Sequence, residues 1–123
     1  MSNTFNILFR ACDKVESVHN ARRVFGLNKI QTIKVCFFSI YQSINPYSNK
    51  IIVIGDDLSK ELLDFFSKFE DVIVNNNQLG SPAKSLQKQI DIALSINNDE
   101  WVYMCEDDYL HMPQAFKFIS EFI

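Results

Sequence analysis

A chain of 123 residues with 47% hydrophobic residues and 11 Phe has the material for one core, and only 3 Gly and 3 Pro exclude low-complexity or collagen-like character. Its 12 basic and 15 acidic residues give a net charge of -3, which excludes a general electrostatic attraction to nucleic acid or anionic lipid. No apolar run reaches the ~18 residues of a membrane span, and Met1-Ser2-Asn3-Thr4 lacks the basic and apolar regions of a signal peptide. Residues 1–123 therefore read as a single domain in the cytoplasm, with a location at the membrane periphery left open.

The first predicted strand runs from Phe5 to Arg10 and ends in the polar stretch Arg10-Ala11-Cys12-Asp13. The segment from Lys14 to Asn28, which holds His19, Arg22 and Arg23, has no clean period. It reads as a long, partly helical connection or as a loop over a site. Ile30, Ile33, Phe37, Ile40, Tyr41 and Ile44 recur at spacings of three and four and predict a helix that stops near Asn45-Pro46. A second strand from Ile51 to Gly55 runs into Asp56-Asp57, and Leu62, Phe65, Phe66 and Phe69 mark a second helix with Asp57 or Ser59 as its N-cap. Val72 to Asn75 is the third strand, followed by Asn76 and Asn77. Ser81 as N-cap and Pro82 at the first helical position open a third helix through Leu86, Ile90, Ala93 and Leu94. A fourth strand from Trp101 to Cys105 leads into Glu106-Asp107-Asp108, and a last helix opens at Pro113 and carries Phe116, Ile119, Phe122 and Ile123.

The strand segments are nearly continuous in apolar residues, as strands covered on both faces require. Alternation with helices predicts an α/β fold: a three-layer, Rossmann-like, mostly parallel sheet of order 3-2-1-4 with right-handed crossovers and helices on both faces. In such sheets ligands bind at the carboxyl ends of the strands where the strand order reverses. That rule places Asp13 and Asp107 on opposite sides of one crevice and makes Arg10, Asp13, Asp56, Asp57 and Asp107 candidate binding residues; Lys84 joins them because a cation in the first turn of the third helix opposes its dipole and points to a nearby anion.

Adjacent carboxylates leaving a buried strand repel one another, and a divalent cation offsets that cost. Asp107 and Asp108 are the candidate ligands, with His111 as a further ligand or phosphate contact. Mn2+ or Mg2+ held by one or two carboxylates completes its shell with water and phosphate oxygens, so a nucleoside diphosphate is the partner of choice. Each residue also has a plainer reading: a solvated turn for Glu106-Asp107-Asp108, a helix cap for Asp57, and solvated side chains for Lys84 and His111. Cys12, Cys36 and Cys105 lack CxxC spacing and read as reduced thiols. No Ser/His/Asp or Cys/His set and no GxxxxGK[ST] or GxGxxG loop is present.

Together these segments resemble the N-terminal, nucleotide-sugar-binding half of family 2-like glycosyltransferases of GT-A fold. Ile51 to Ser59 resembles the family's strand followed by D-D-x-S, Asn77 to Ser85 its N-x-x-G-x-x-x-A-R-N element shortened by one residue, and Trp101 to Asp108 the strand ending in D-x-D. Here Glu106 takes the first acidic place and Asp108 the second. The resemblance implies transfer of a sugar from a UDP- or GDP-linked donor, with the metal stabilising the departing diphosphate. In the family the acceptor region and catalytic base lie beyond the last helix read here. The expectation is thus a partial GT-A domain, with an exposed edge or apolar patch and self-association as a homo-oligomer. A non-catalytic Rossmann-like binding module is the alternative.

Overall fold

The computed structural model describes residues 4–14, 24–44 and 49–123. Its elements alternate as read from the sequence: β1 (Phe5–Ala11), α1 (Lys29–Ile44), β2 (Asn49–Asp56), α2 (Lys60–Ser67), β3 (Val72–Asn77), α3 (Pro82–Ser95), β4 (Trp101–Glu106) and α4 (Ala115–Phe122). His19, Arg22, Arg23 and the Asn45-Pro46 stop lie outside the described residues. Of the irregular connection, Val24–Gly26 form a short 3-10 turn.

The four strands form one sheet of order β3-β2-β1-β4. All three pairings are parallel, with Phe5 opposite both Asn49 and Trp101, Arg10 opposite Glu106, and Asp56 opposite Asn77. The sequence therefore moves outward from β1 to β3 and returns across the sheet to β4, which puts the reversal of strand order between β1 and β4.

The pleat sorts β1 between two faces. Phe5, Ile7, Phe9 and Ala11 enter the main core with residues of α1, α2 and α4. Phe37 is its centre, with its ring 4.9 Å from Phe66, 5.0 Å from Phe69 and 5.4 Å from Phe9, all edge to face. That geometry sets the positive edge of one ring against the negative face of another. α4 joins through Phe116, whose ring lies 5.5 Å from Phe5.

On the opposite face α3 is the only described helix, and the buried Gln89 ties it to the sheet: its amide donates to the Leu8 carbonyl at 2.8 Å and the Cys105 carbonyl at 3.2 Å. A single helix leaves the flanks of this face open. Ile73 on β3 is 59% exposed and Met104 on β4 46% exposed, one at each margin of this face. No described helix is long and apolar enough to cross a membrane.

Ser81 and Pro82 cap α3 as expected, with the Lys84 N–H donating to the Ser81 hydroxyl at 3.2 Å. Ser59, not Asp57, caps α2. α4 begins at Ala115, later than Pro113, because the chain is still turning there: the Ala115 N–H donates to the Met112 carbonyl.

Candidate functional site

A crevice of about 180 Å³ opens at the carboxyl end of the sheet, lined by residues of β1, β2 and β4 and by the first turns of α1 and α3. Arg10, Asp56 and Asp107 stand in it, joined by Lys29, Ser81 and Ser85. It lies at the β1/β4 reversal, where the strand order predicts a ligand. Asp13, Asp57, Lys84, Asp108 and His111 do not line it.

Each carboxylate in the crevice is already engaged. Asp56 accepts from the Leu79 N–H at 2.7 Å and the Gly80 N–H at 3.0 Å, closing the connection from β3 to α3. Glu106 is ion-paired with Arg10, whose Nη1 also donates to the Pro82 carbonyl at 3.0 Å. The Arg10 Nε is buried and without a hydrogen-bond partner. Asp107 accepts from the Lys29 ammonium at 3.1 Å and from the Cys12 N–H at 3.0 Å. Burial raises the Asp107 pKa above the ordinary carboxylate value, while Lys29 and the Cys12 N–H act in the opposite direction.

The remaining candidates lie elsewhere. Asp13 accepts from the Ser59 N–H at 3.2 Å, so it braces the start of α2. Asp57 is exposed at φ 50, and its N–H donates to the Asn77 carbonyl. Lys84 and Asp108 are exposed. His111 is half-buried on the α1 and α4 side, with Nε2 2.8 Å from the Tyr103 hydroxyl and its backbone N–H donating to Ser39. Burial lowers its pKa and favours the neutral ring. Cys12, Cys36 and Cys105 are free; burial, reinforced by the nearby Asp107, pushes Cys36 up to about 11 and Cys105 to about 12. Both therefore remain thiols at neutral pH.

Of the expected metal set, Asp107 stands in the crevice with each oxygen accepting one hydrogen bond, Asp108 is exposed outside its lining, and His111 is turned to Tyr103. Among the described residues no group of three or more His, Cys, Asp or Glu side chains is placed to hold a metal ion.

Two crevice residues escaped the sequence reading. Lys29 is the first residue of α1, behind a reciprocal cap in which Asn28 and Gln31 exchange backbone-to-side-chain hydrogen bonds at 2.9 and 2.8 Å. A cation in a first helical turn opposes the helix dipole, and that signal, read for Lys84, applies equally to Lys29. Ser85 on α3 enters the sequence reading only as the last residue of the Asn77 to Ser85 element, not as a site residue. Compared with models of protein families, curated proteins and solved structures, the chain gives no match.

Proposed function

We propose that this chain binds the diphosphate of a nucleotide-linked sugar in the β1/β4 crevice and serves as the donor-binding part of a glycosyltransferase. The observation that carries the reading is the convergence of two cations, Arg10 and Lys29, with the N-terminal turns of α1 and α3 on one crevice at the strand-order reversal. Helix N-termini direct unpaired N–H groups and a partial positive charge at whatever lies before them, which suits phosphate oxygens. Ligand pockets for whole small molecules measure ~300–1,000 Å³. At about 180 Å³ the crevice accommodates the phosphates, while the nucleoside and sugar extend over its rim.

In the chemistry that follows, the anomeric carbon forms a bond to an acceptor hydroxyl oxygen, which gives up its proton, while the carbon's bond to the phosphate oxygen breaks and leaves the electron pair on the diphosphate. Arg10 and Lys29 stabilise that developing charge in a partly dry setting. The carboxylates Glu106 and Asp107 hold the two cations in position. No step is routed through a metal ion, and the acceptor and its base are unassigned.

One observation favours the non-catalytic alternative: Asp13, Asp56 and Asp107 all accept hydrogen bonds from backbone N–H groups of their own fold. Calorimetry with UDP, GDP, ADP and CDP tests binding and names the base. A ligand at a hundred times its dissociation constant stabilises the fold by about 2.7 kcal/mol, which a melting shift registers. Arg10→Gln is expected to lose most of that shift. If none of the four binds, donor binding by this chain is refuted; if one binds but its sugar conjugate is never transferred or hydrolysed by the holoprotein, the binding-module reading replaces the enzymatic one.

A further inference from the structure

We infer that Lys29 occupies the place a divalent cation would take in this crevice, so that the acidic end of β4 is neutralised by the chain itself and an anionic ligand binds without a metal ion. The last clause rests on the proposed function; the first stands on geometry alone.

Glu106, Asp107 and Asp108 leave β4 in succession, and each has a distinct fate. Glu106 goes to Arg10. Asp107 is held on one oxygen by the Lys29 ammonium and on the other by the Cys12 N–H, with the Lys29 and Asp107 side chains only 17% and 11% exposed. Asp108 points out into solvent, away from the lining of the crevice. Of the three carboxylates, only Asp107 is both buried and in the crevice, and each of its oxygens already accepts one hydrogen bond.

A Mn2+ or Mg2+ ion requires about six oxygen ligands, of which the protein commonly supplies one or two carboxylates. To reach Asp107 it would have to crowd against the Lys29 ammonium or displace it, and a displaced ammonium would still be anchored by its own backbone in the first turn of α1. The dication would then face Lys29, Arg10 and the positive ends of α1 and α3, all like in sign. Lys29 carries one positive charge at the same carboxylate, half that of the dication, and so meets less of that repulsion. The ammonium offers three donors, so contact with Asp107 leaves capacity for an incoming phosphate oxygen. A metal ion at this position would do the same through an open coordination site.

The test uses Mn2+ alone, titrated into the protein and followed by the electron paramagnetic resonance of the free ion. The parent chain is expected to show no site tighter than about 1 mM, the weak end of carboxylate ion sites. Lys29→Met removes the ammonium at nearly constant volume and is expected to gain one Mn2+ site at least tenfold tighter, whereas Lys29→Arg, which keeps the charge, gains none. Adding Asp107→Asn to Lys29→Met should abolish the gain. A parent chain that binds one Mn2+, or a Lys29→Met variant that folds and gains nothing, overturns the inference. Should Lys29→Met not fold, the parent titration decides by itself: one tight ion overturns, none supports. No nucleotide enters these measurements, so they can fail while diphosphate binding stands, and the reverse. Where a nucleoside diphosphate does bind, equal affinity in EDTA and in Mn2+ is expected, and a tenfold gain with Mn2+ overturns metal-free binding.

Discussion

Gly55 shows how tightly the residues beneath the crevice are set. A Cβ built there would lie 2.5 Å from Leu58 Cδ1 and 2.9 Å from Asn76 Oδ1. Neither neighbour can retreat cheaply, because Leu58 is buried in the core and Asn76 Oδ1 accepts from the Leu58 N–H at 3.0 Å. Gly55→Ala is therefore expected to destabilise the protein by about 1–3 kcal/mol, the usual cost of overpacking. Urea unfolding measures it, and a variant as stable as the parent would show that β2 and its loop can yield. At this scale the sequence was only partly legible. The polar strand ends stood out because charge at the end of an apolar run is conspicuous, and Arg10, Asp56 and Asp107 do meet in the crevice. Asp13 and Asp57 looked equivalent to them, yet one braces α2 and the other occupies a left-handed turn. Nothing in a one-dimensional pattern distinguishes a carboxylate spent on a neighbouring N–H from one facing a ligand.

Strands and helices were far easier to read. Runs such as Ile51 to Ile54 have few other fates, and the Ser81-Pro82 pair announces a helix start by a local mechanism. The 3-10 turn at Val24–Gly26 had no such signature, since it depends on Phe25 at φ 61 and 81% exposed, a conformation its residue type disfavours. Gln89 was equally invisible: at helical spacing it reads as one more polar residue, although it is 2% exposed and joins α3 to β1 and β4 at once. Gln89→Leu leaves two buried carbonyls without that donor and is expected to cost about 1–3 kcal/mol. Hydrogen exchange locates the effect, which should fall on α3 and β4 and spare α1 and α2. Uniform loss of protection would show that the sheet's two faces do not open independently.

His111 contributes a pH dependence of definite sign to the whole molecule. Burial holds the His111 pKa below its ordinary 6.5, so the native state keeps the neutral ring while the unfolded chain takes up a proton as pH falls through that value. Stability from this group is complete above pH 6.5 and declines below it until the native ring is protonated too. Urea midpoints at about pH 7.5 and 5.5 should therefore differ more for the parent than for His111→Gln. Equal differences would assign the pH dependence to other groups. The strand order was legible because a β/α alternation permits few right-handed layouts. What covers each face, and how completely, was not, because apolar residues such as Ile73 and Met104 look the same in sequence whether buried or bare.

The pairing of Phe5 with Trp101 has a consequence in time as well as in space. The aromatic cluster of Phe9, Phe37, Phe66 and Phe69 can close with only the first two-thirds of the chain, whereas one wall of the crevice arrives with β4. A newly made polypeptide that has not yet delivered residues 101–106 would hold that cluster but lack one wall of the crevice, and the core would still await Cys105 and Phe116. The crevice is thus complete only once β4 has docked beside β1.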